Sequence, residues 1–255
     1  MISRLPLVIG NWKMNMQVSQ ACDMAQSLVS NYSATEDVEV VIAPPHTSLY
    51  SVSQILKDSP VGLAGQNFYY ESNGAFTGEV SIDMLKDAGC GFTLIGHSER
   101  RSMFGESDET INKKVHCAMD LGITAVICVG ETLMEREAEL TLDVIETQLS
   151  KGLAGLPGDS ISNWVIAYEP VWAIGAGVNA TPEQVSEIHK FIRNYLFQGL
   201  GFSERLGARI VYGGSVKPDN SGQLLREKEV DGVLVGGASL DFESFCAIIN
   251  SALES

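Results

Sequence analysis

Short apolar runs recur along the whole chain at intervals of about 30 residues, which is the size of a repeating strand–helix unit. Each run is four to six residues long, rich in Val and Ile, and apolar on both faces. Parallel strands that helices cover on both sides have this composition, because none of their side chains faces water. The predicted strands are Leu7–Trp12, Val38–Ala43, Val61–Ala64, Phe92–Ile95, Thr124–Val129, Trp164–Tyr168, Arg209–Tyr212 and Gly232–Val235.

Amphipathic helical patterns lie between the runs. After the sixth run, Thr181 supplies a helix N-cap, Pro182 suits the first helical position, and Gln184 completes a capping box. Ser81 likewise precedes a helical segment that stops at Gly89. Apolar residues repeat at helical spacing in two clear stretches: Ala21, Met24, Ala25, Leu28 and Val29, then Val185, Ile188, Ile192, Tyr195 and Leu196.

Eight such strand–helix units fill the length of 255 residues. They can close into a (β/α)8 barrel or form an open doubly wound sheet. An open sheet usually carries a glycine-rich dinucleotide turn after its first strand, whereas this chain has Asn11-Trp-Lys-Met-Asn15 there. No linker-like or low-complexity segment divides the chain. We therefore predict one α/β domain over residues 1–255, a TIM barrel with eight parallel strands inside a layer of helices.

The formal net charge of −15 argues against nucleic acid or an anionic membrane surface as the main partner. We find no apolar run long enough to span a bilayer and no basic, then apolar, leader at the N-terminus. The five cysteines are scattered, without Cys-x-x-Cys pairs, which is typical of a reducing compartment. We expect a soluble cytoplasmic protein.

In barrels of this class the chemistry lies at the carboxyl ends of the strands, and the sixth strand ends in a carboxylate. Glu169 follows the strand directly, and Pro170 biases it toward extended backbone. Residues 171–174 are apolar but cannot continue the strand, and Gly175 and Gly177 close the segment. An apolar loop after an acid suggests a lid that excludes water. An ordinary core strand ending in a solvated glutamate explains these residues equally well.

Two other strand ends carry polar side chains. Asn11 and Lys13 follow the first strand with a spacing of two, which places them on one side of an extended chain. Lys13 could stabilise a developing negative charge, although a lysine at the rim of the core is the commoner explanation. His97 lies in the first turn of a predicted helix, whose dipole disfavours imidazolium. We interpret the other histidines as structural: His46, His116 and His189.

The last two strands are each followed by a pair of glycines, Gly213-Gly214 and Gly236-Gly237. Without Cβ atoms, backbone N–H groups can approach a ligand closely. The loops after the seventh and eighth strands form the usual phosphate site of such barrels. A carboxylate, an imidazole, an ammonium group and a phosphate pocket together suit proton abstraction beside the carbonyl of a small phosphorylated compound. Neither a nucleophile–base pair nor metal-ligand spacing is evident.

The chain resembles the triosephosphate isomerase family over essentially its full length. The resemblance implies interconversion of dihydroxyacetone phosphate and glyceraldehyde 3-phosphate through an enediolate, in glycolysis and gluconeogenesis, with no cofactor and no metal. The motifs that carry it, in the family's order, are Gly10-Asn-Trp-Lys-Met-Asn15, Ala75-Phe-Thr-Gly-Glu79, Gly96-His-Ser-Glu-Arg-Arg101, Ala167-Tyr-Glu-Pro-Val-Trp-Ala-Ile-Gly175, Tyr212-Gly-Gly-Ser215 and Leu234-Val-Gly-Gly237.

The resemblance also implies roles for single residues. Glu169 would be the base and His97 the electrophile that moves protons between the substrate oxygens. Lys13 would offset negative charge, Asn11 would position the substrate, and Glu99 would have a supporting role.

Other implied residues bind phosphate or shape the site. Ile174 and Leu234 would close over Glu169 and desolvate its carboxylate, which would make it a stronger base. Cys128 matches a family position near the site and suits a structural role. The backbone N–H groups that would hold the phosphate belong to Gly175, Ser215, Gly236 and Gly237.

Two places depart from the family's usual sequence. The lid usually reads Gly-Thr-Gly-Lys, whereas this chain has Gly175-Ala176-Gly177-Val178. Met16 stands where glycine is common after Asn-Trp-Lys-Met-Asn, which we expect to alter packing near the first loop. We predict that activity survives both changes and that the kinetics of the lid are the property most affected.

The segment from Gln66 to Glu79 is long for a strand–helix connection. In the family this loop inserts into a second subunit, and the residue that matches Thr77 braces the neighbour's site near its lysine. We predict a homodimer whose monomers are poorly active. The aromatic residues of the loop, which invite a partner, are Phe68, Tyr69, Tyr70 and Phe76.

Two other functions fit parts of the sequence. A catalytically silent barrel that only binds phosphorylated ligands, or binds partners at its surface, would need no base. The presence of Lys13, His97 and Glu169 together therefore argues against it. A sugar-phosphate aldolase would use a Schiff-base lysine, for which Lys13 is the strongest candidate, but the pairing of Lys13 with Asn11 favours charge stabilisation.

Overall fold

The computed structural model of the chain describes residues 4–32, 37–159, 164–175, 179–203 and 207–254. Its strands are β1 (Leu7–Asn11), β2 (Glu39–Ala43), β3 (Gly62–Gly65), β4 (Phe92–Ile95), β5 (Thr124–Val129), β6 (Trp164–Tyr168), β7 (Arg209–Tyr212) and β8 (Gly232–Val235). They form one closed barrel in sequence order, all neighbours are parallel, and β8 pairs with β1. The predicted (β/α)8 barrel is confirmed.

The ends of three strands differ from the prediction by one residue. β1 stops at Asn11 because Lys13 turns to a φ of 51°, although the Trp12 N–H still reaches the Ala43 carbonyl at 3.1 Å. β2 begins one residue late, and β3 is displaced by one residue toward the C-terminus.

Helices surround the barrel, and both predicted caps form. Thr181 makes a capping box with Gln184, and Ser81 accepts a hydrogen bond from the Met84 N–H. The apolar pattern that reaches Leu196 continues past the last helix before β7 into a π-helical turn, Tyr195–Gly199. The α-helices of the described residues are α1 (Val18–Asn31), α2 (Leu49–Leu56), α3 (Ile82–Asp87), α4 (Ser98–Phe104), α5 (Asp108–Asp120), α6 (Leu133–Glu137), α7 (Thr141–Gly152), α8 (Pro182–Asn194), α9 (Pro218–Leu225) and α10 (Phe242–Leu253).

The strand side chains alternate between two apolar layers, one under the helices and one inside the barrel. On β1, Ile9 belongs to the inner layer, so the same alternation carries Asn11 to the open end of the barrel. On β6, Ala167 is in the inner layer, and Glu169 follows it by two residues. The two-residue alternation of side chains along the strands therefore places both Asn11 and Glu169 at the open mouth of the barrel.

His97, which follows β4, is placed at the mouth of the barrel by a turn and not by the alternation of side chains along the strand. Leu94 belongs to the inner layer, so a residue three positions later would face outward in a regular strand. Gly96 adopts a left-handed backbone with φ of 72°. His97 thereby becomes the N-cap of α4, one position before the first helical turn in which we predicted it.

No helix in the described part of the chain is long and apolar enough to cross a membrane. Within the same residues, no group of three or more His, Cys, Asp or Glu side chains could hold a metal ion. All the cysteines are free thiols.

Candidate active site

One cavity of about 720 Å³ opens at the carboxyl ends of the strands. It brings together residues that come from five strand ends and lie far apart in the sequence. The predicted site residues that line it are Asn11, Lys13, His97, Glu169, Ile174, Gly175, Ser215, Leu234, Gly236 and Gly237.

The other predicted residues lie outside this cavity. Glu99 lines a neighbouring cavity of about 450 Å³ that shares Lys13 and His97 with the first. Cys128 is buried inside the barrel and lines a third cavity behind Glu169. Burial raises the pKa of the Cys128 thiol well above its usual value, so the residue is a packed thiol and not a reactive one. Thr77 is exposed on its loop.

Glu169 is almost completely buried, with 2% of its surface exposed. Its Oε2 accepts a hydrogen bond of 2.9 Å from the Ser98 N–H at the start of α4. Its Oε1 lies 2.9 Å from His97 Nε2, but the alignment is too poor for a hydrogen bond. Burial raises the pKa of Glu169, yet His97 and the Ser98 N–H lower it by more, so the net direction is downward. Burial alone does not make this carboxylate a stronger base.

The ring of His97 is oriented by the backbone. The Glu99 N–H donates to His97 Nδ1 at 3.2 Å, so Nδ1 is an acceptor and the ring proton lies on Nε2. Burial lowers the pKa of His97, but the Glu169 and Glu99 carboxylates together raise it by more, so the net direction is upward. A charged ring would place a second N–H against the Glu99 N–H. We therefore assign the neutral form with the ring proton on Nε2, the nitrogen that lies 2.9 Å from Glu169 Oε1.

Lys13 contributes an ammonium group from an unusual backbone. Its Nζ lies 2.6 Å from Glu99 Oε1, and its N–H donates to Asn11 Oδ1 at 3.0 Å. A left-handed conformation costs a residue with a side chain about 1–2 kcal/mol. The sequence does not reveal this strain, because the spacing of Asn11 and Lys13 suggests a continuing strand.

The opposite side of the mouth is built from main chain. Gly213 and Gly214 follow β7, and Gly236 and Gly237 follow β8. A Cβ on Gly213 would lie 2.8 Å from Glu169 Cγ, whereas a Cβ on Gly237 would meet no atom of the described residues within 4 Å. The first glycine therefore makes room for the acid, and the second leaves open space in the cavity.

The segment after Glu169 begins with a 3₁₀ turn, Val171–Ala173, held from below by a buried acid. Glu131 is fully buried and accepts hydrogen bonds from Trp172 Nε1 at 2.8 Å and from the Tyr168 hydroxyl at 3.2 Å. Arg136 completes the cluster, 3.3 Å from Glu131 and stacked 4.3 Å from the centre of the Trp172 ring.

Our sequence analysis did not single out Glu131 or Ser98. The predictions for Ala176 and Val178, and Gly177 between them, lie outside the described residues.

Met16 occupies a backbone position that would suit glycine. It adopts a left-handed backbone with φ of 70°, which glycine reaches without steric cost. The side chain packs against the core as compensation. The expected change in packing relative to glycine stays a prediction, whereas the left-handed backbone strain is a feature that the sequence did not reveal.

Fold and site together define a barrel enzyme for proton transfer on a small anionic carbonyl compound. The family model of triosephosphate isomerase matches residues 6–252. Similar curated proteins include the triosephosphate isomerases of Geobacter metallireducens and Endomicrobium trichonymphae. Each is 48% identical, and the alignments cover 97% and 96% of this chain and 98% of either relative. That of Carboxydothermus hydrogenoformans is 45% identical over 98% of this chain and 100% of its own. The chain belongs to the triosephosphate isomerase family, and its activity is the interconversion of dihydroxyacetone phosphate and glyceraldehyde 3-phosphate in glycolysis.

Proposed function

We propose that Glu169 removes a proton from the carbon beside the carbonyl group of the triose phosphate and returns it to the neighbouring carbon. His97 donates from Nε2 to the oxygen that becomes negative, and the Lys13 ammonium offsets the charge of the enediolate. Asn11, fully inside the mouth, positions the substrate through its amide group. The observation that carries this assignment is the meeting of the buried Glu169 carboxylate and the His97 imidazole, with Oε1 and Nε2 2.9 Å apart, at one wall of the cavity.

Proton abstraction requires Glu169 to leave its present partners. The Ser98 N–H and His97 hold the carboxylate in its weakly basic state. Closure of Ile174 and Leu234 over the substrate would keep the acid dry while it turns away from Ser98, so burial would then dominate and raise its pKa. The phosphate would lie against the N–H groups of the glycine loops. Those N–H groups belong to Gly175, Ser215, Gly236 and Gly237.

Replacement of the base tests this mechanism. We expect Glu169→Gln to lower kcat roughly 10²–10⁴-fold in a coupled assay of purified protein, since a general base contributes about that much. Glu187→Gln, an exposed glutamate of α8, is the matched control and should retain full activity. A Glu169→Gln variant that loses less than about tenfold would remove Glu169 from the role of base.

We further propose that the chain is a homodimer and that the loop from Gln66 to Glu79 enters the cavity of about 450 Å³ in a second copy. Two apolar side chains at the rim of that cavity are exposed, Met14 at 95% and Phe104 at 70%. Apolar side chains of this size are seldom left exposed together unless a partner covers them. Thr77 would then approach the Lys13 of the other subunit.

Sedimentation equilibrium combined with activity at matched concentrations tests the dimer. We expect a dimer at assay concentration, and we expect Met14→Glu together with Phe104→Glu to give monomers of low activity. A fully active monomer would contradict the proposal. The cytoplasmic location and the absence of a cofactor stay predictions from the sequence.

A further inference from the structure

The backbone of Lys13 needs support that its own side chain does not give. Its φ of 51° lies in the left-handed region, which residues other than glycine rarely adopt. The ion pair with Glu99 holds the ammonium group at the far end of a flexible chain. That contact leaves the peptide groups on either side of the Lys13 Cα free to relax toward negative φ.

Gln66 supplies the missing contacts from the end of β3. Its Nε2 group donates one hydrogen bond of 2.8 Å to the Lys13 carbonyl and another of 2.8 Å to the Ala43 carbonyl at the end of β2. The Lys13 N–H is bonded to Asn11 on its other side. Both peptide groups of Lys13 are therefore fixed, and the carbonyl side depends on one glutamine.

The chain next to Gln66 is itself anchored on two sides. The Asn67 carbonyl accepts a hydrogen bond of 2.8 Å from His46 Nε2. The Asn67 Oδ1 accepts one of 2.6 Å from the buried Lys114 ammonium, which is paired with Glu106. These contacts have no part in the proposed chemistry. They hold the start of the 66–79 loop still, so the Gln66 amide meets the Lys13 carbonyl from a fixed position.

We propose that Gln66 is a positioning residue for Lys13: it holds the left-handed backbone from which the ammonium group reaches the cavity. The proposal rests on the catalytic role proposed for Lys13. It gives the 66–79 loop a function within its own subunit, separate from any contact that the loop makes with a second copy. A displaced loop would move the ammonium group of the same chain.

A double-mutant cycle on steady-state kinetics separates positioning from general damage. We expect Gln66→Met, which keeps the length of the side chain and removes its donors, to lower kcat/KM at least tenfold. In a Lys13→Met background, where the ammonium group is already absent, the same change should lower kcat/KM less than threefold. Gln54→Met, an exposed glutamine of α2, is the control and should match the wild type. All four members of the cycle are compared at concentrations that give the same sedimentation profile.

A second double-mutant cycle uses thermal unfolding to test whether Gln66 supports the left-handed backbone of Lys13. Gln66→Met should lower Tm in the wild-type background. In a Lys13→Gly background it should lower Tm by less than half as much, because glycine adopts the left-handed conformation without support. This Tm measurement does not depend on the catalytic activity of the variants.

The outcomes are distinct. An equal loss of kcat/KM in both lysine backgrounds, or an equal fall in Tm in both, would overturn the positioning role. So would a Gln66→Met variant with wild-type kinetics. A Lys13→Met variant that retains activity would instead show that the proposed catalytic role of Lys13 is wrong, and the positioning role would fall with it.

Discussion

The two sides of the barrel mouth are built by opposite means. The side-chain half consists of Lys13, His97, Glu99 and Glu169, whose charged or polar groups are held by one another and by backbone donors. The backbone half consists of Gly213, Gly214, Ser215, Gly236 and Gly237, where side chains are small or absent.

This difference follows from what each half has to do. A proton moves only if its donor and acceptor are correctly placed, so the side-chain half carries strain and buried charge to fix a few atoms. An anionic group is held by several N–H donors together, so the backbone half needs space and direction rather than any one side chain. Loss of one group in the side-chain half should therefore abolish proton transfer. Loss of one group in the backbone half should only weaken substrate binding.

The largest effect is expected in the side-chain half, at His97. We expect His97→Gln to lower kcat roughly 10²–10⁴-fold, because it removes the Nε2–H that meets the developing negative oxygen. His116→Gln is the matched control, since His116 lies outside the cavity and bonds the Ala154 carbonyl at 2.9 Å. Steady-state kinetics on both variants measure the difference. Equal activities would show that the imidazole is structural.

Two glycines of the backbone half test whether the halves are independent. A methyl group on Gly213 would press on Glu169 Cγ, 2.8 Å from its Cβ position. We therefore expect Gly213→Ala to lower kcat by up to about 10²-fold through a misplaced base. The methyl group of Gly237→Ala meets no atom within 4 Å in the described part of the chain, so this change should raise KM and leave kcat and Tm nearly unchanged. A loss confined to kcat in Gly237→Ala would break the distinction between the halves.

Glu131 supports the side-chain half from beneath the 3₁₀ turn that follows Glu169. We expect Glu131→Gln to lower the free energy of unfolding by about 1.5–3 kcal/mol, as for the loss of hydrogen bonds to a charged acceptor. It should also shift the fluorescence of Trp172, whose Nε1 donates to this carboxylate. Glu137→Gln, exposed on α6, is the control. Urea unfolding curves that superimpose for the two variants would contradict the supporting role.

His189 links β6 to the turn before β8 and makes stability depend on pH. Its Nδ1 bonds the Glu229 carbonyl at 3.1 Å, and burial lowers its pKa to about 3. Histidine in the unfolded chain titrates near 6.5. Between these two values the unfolded chain binds the extra proton, so stability falls as pH falls, by up to about 1.4 kcal/mol per pH unit. We expect His189→Gln to flatten this slope between pH 6 and pH 4, in urea titrations, and Gln54→Met, exposed on α2, to leave it unchanged.

The smallest effect is expected at Met16, which shares the first loop with Lys13. Met16→Gly removes left-handed strain but makes the unfolded chain more flexible, so the free energy of unfolding should change by less than about 1 kcal/mol. Activity should not change. A loss of activity above threefold would show that strain at Met16 supports the neighbouring Lys13.

The strands were predictable because burial on both faces and the period of two depend on local sequence. Asn11 and Glu169 were predictable for the same reason, since each follows a strand in register with the inner layer. The glycine pairs were visible because a close approach of backbone to ligand needs glycine in the sequence itself.

Features that depend on contacts between distant residues were not predictable. Glu131 meets Trp172 only in the folded barrel, 41 residues apart. The contacts by which His97 and the Ser98 N–H hold the pKa of Glu169 below its usual value join residues about 70 positions apart, so the sequence does not reveal them. The left-handed turn at Lys13 was missed because nothing in the residue type indicates it.

The central claim is that Glu169 exchanges a proton with substrate carbon, and the appearance of deuterium at that carbon measures it most directly. Proton NMR of dihydroxyacetone phosphate in D₂O follows solvent deuterium entering the CH₂OH group. With the wild-type protein we predict rapid incorporation, and with Glu169→Gln a rate at least about 100-fold lower, in step with the loss of isomerisation. Incorporation by Glu169→Gln at a rate within threefold of the wild type would contradict the account, because another group would then be the base.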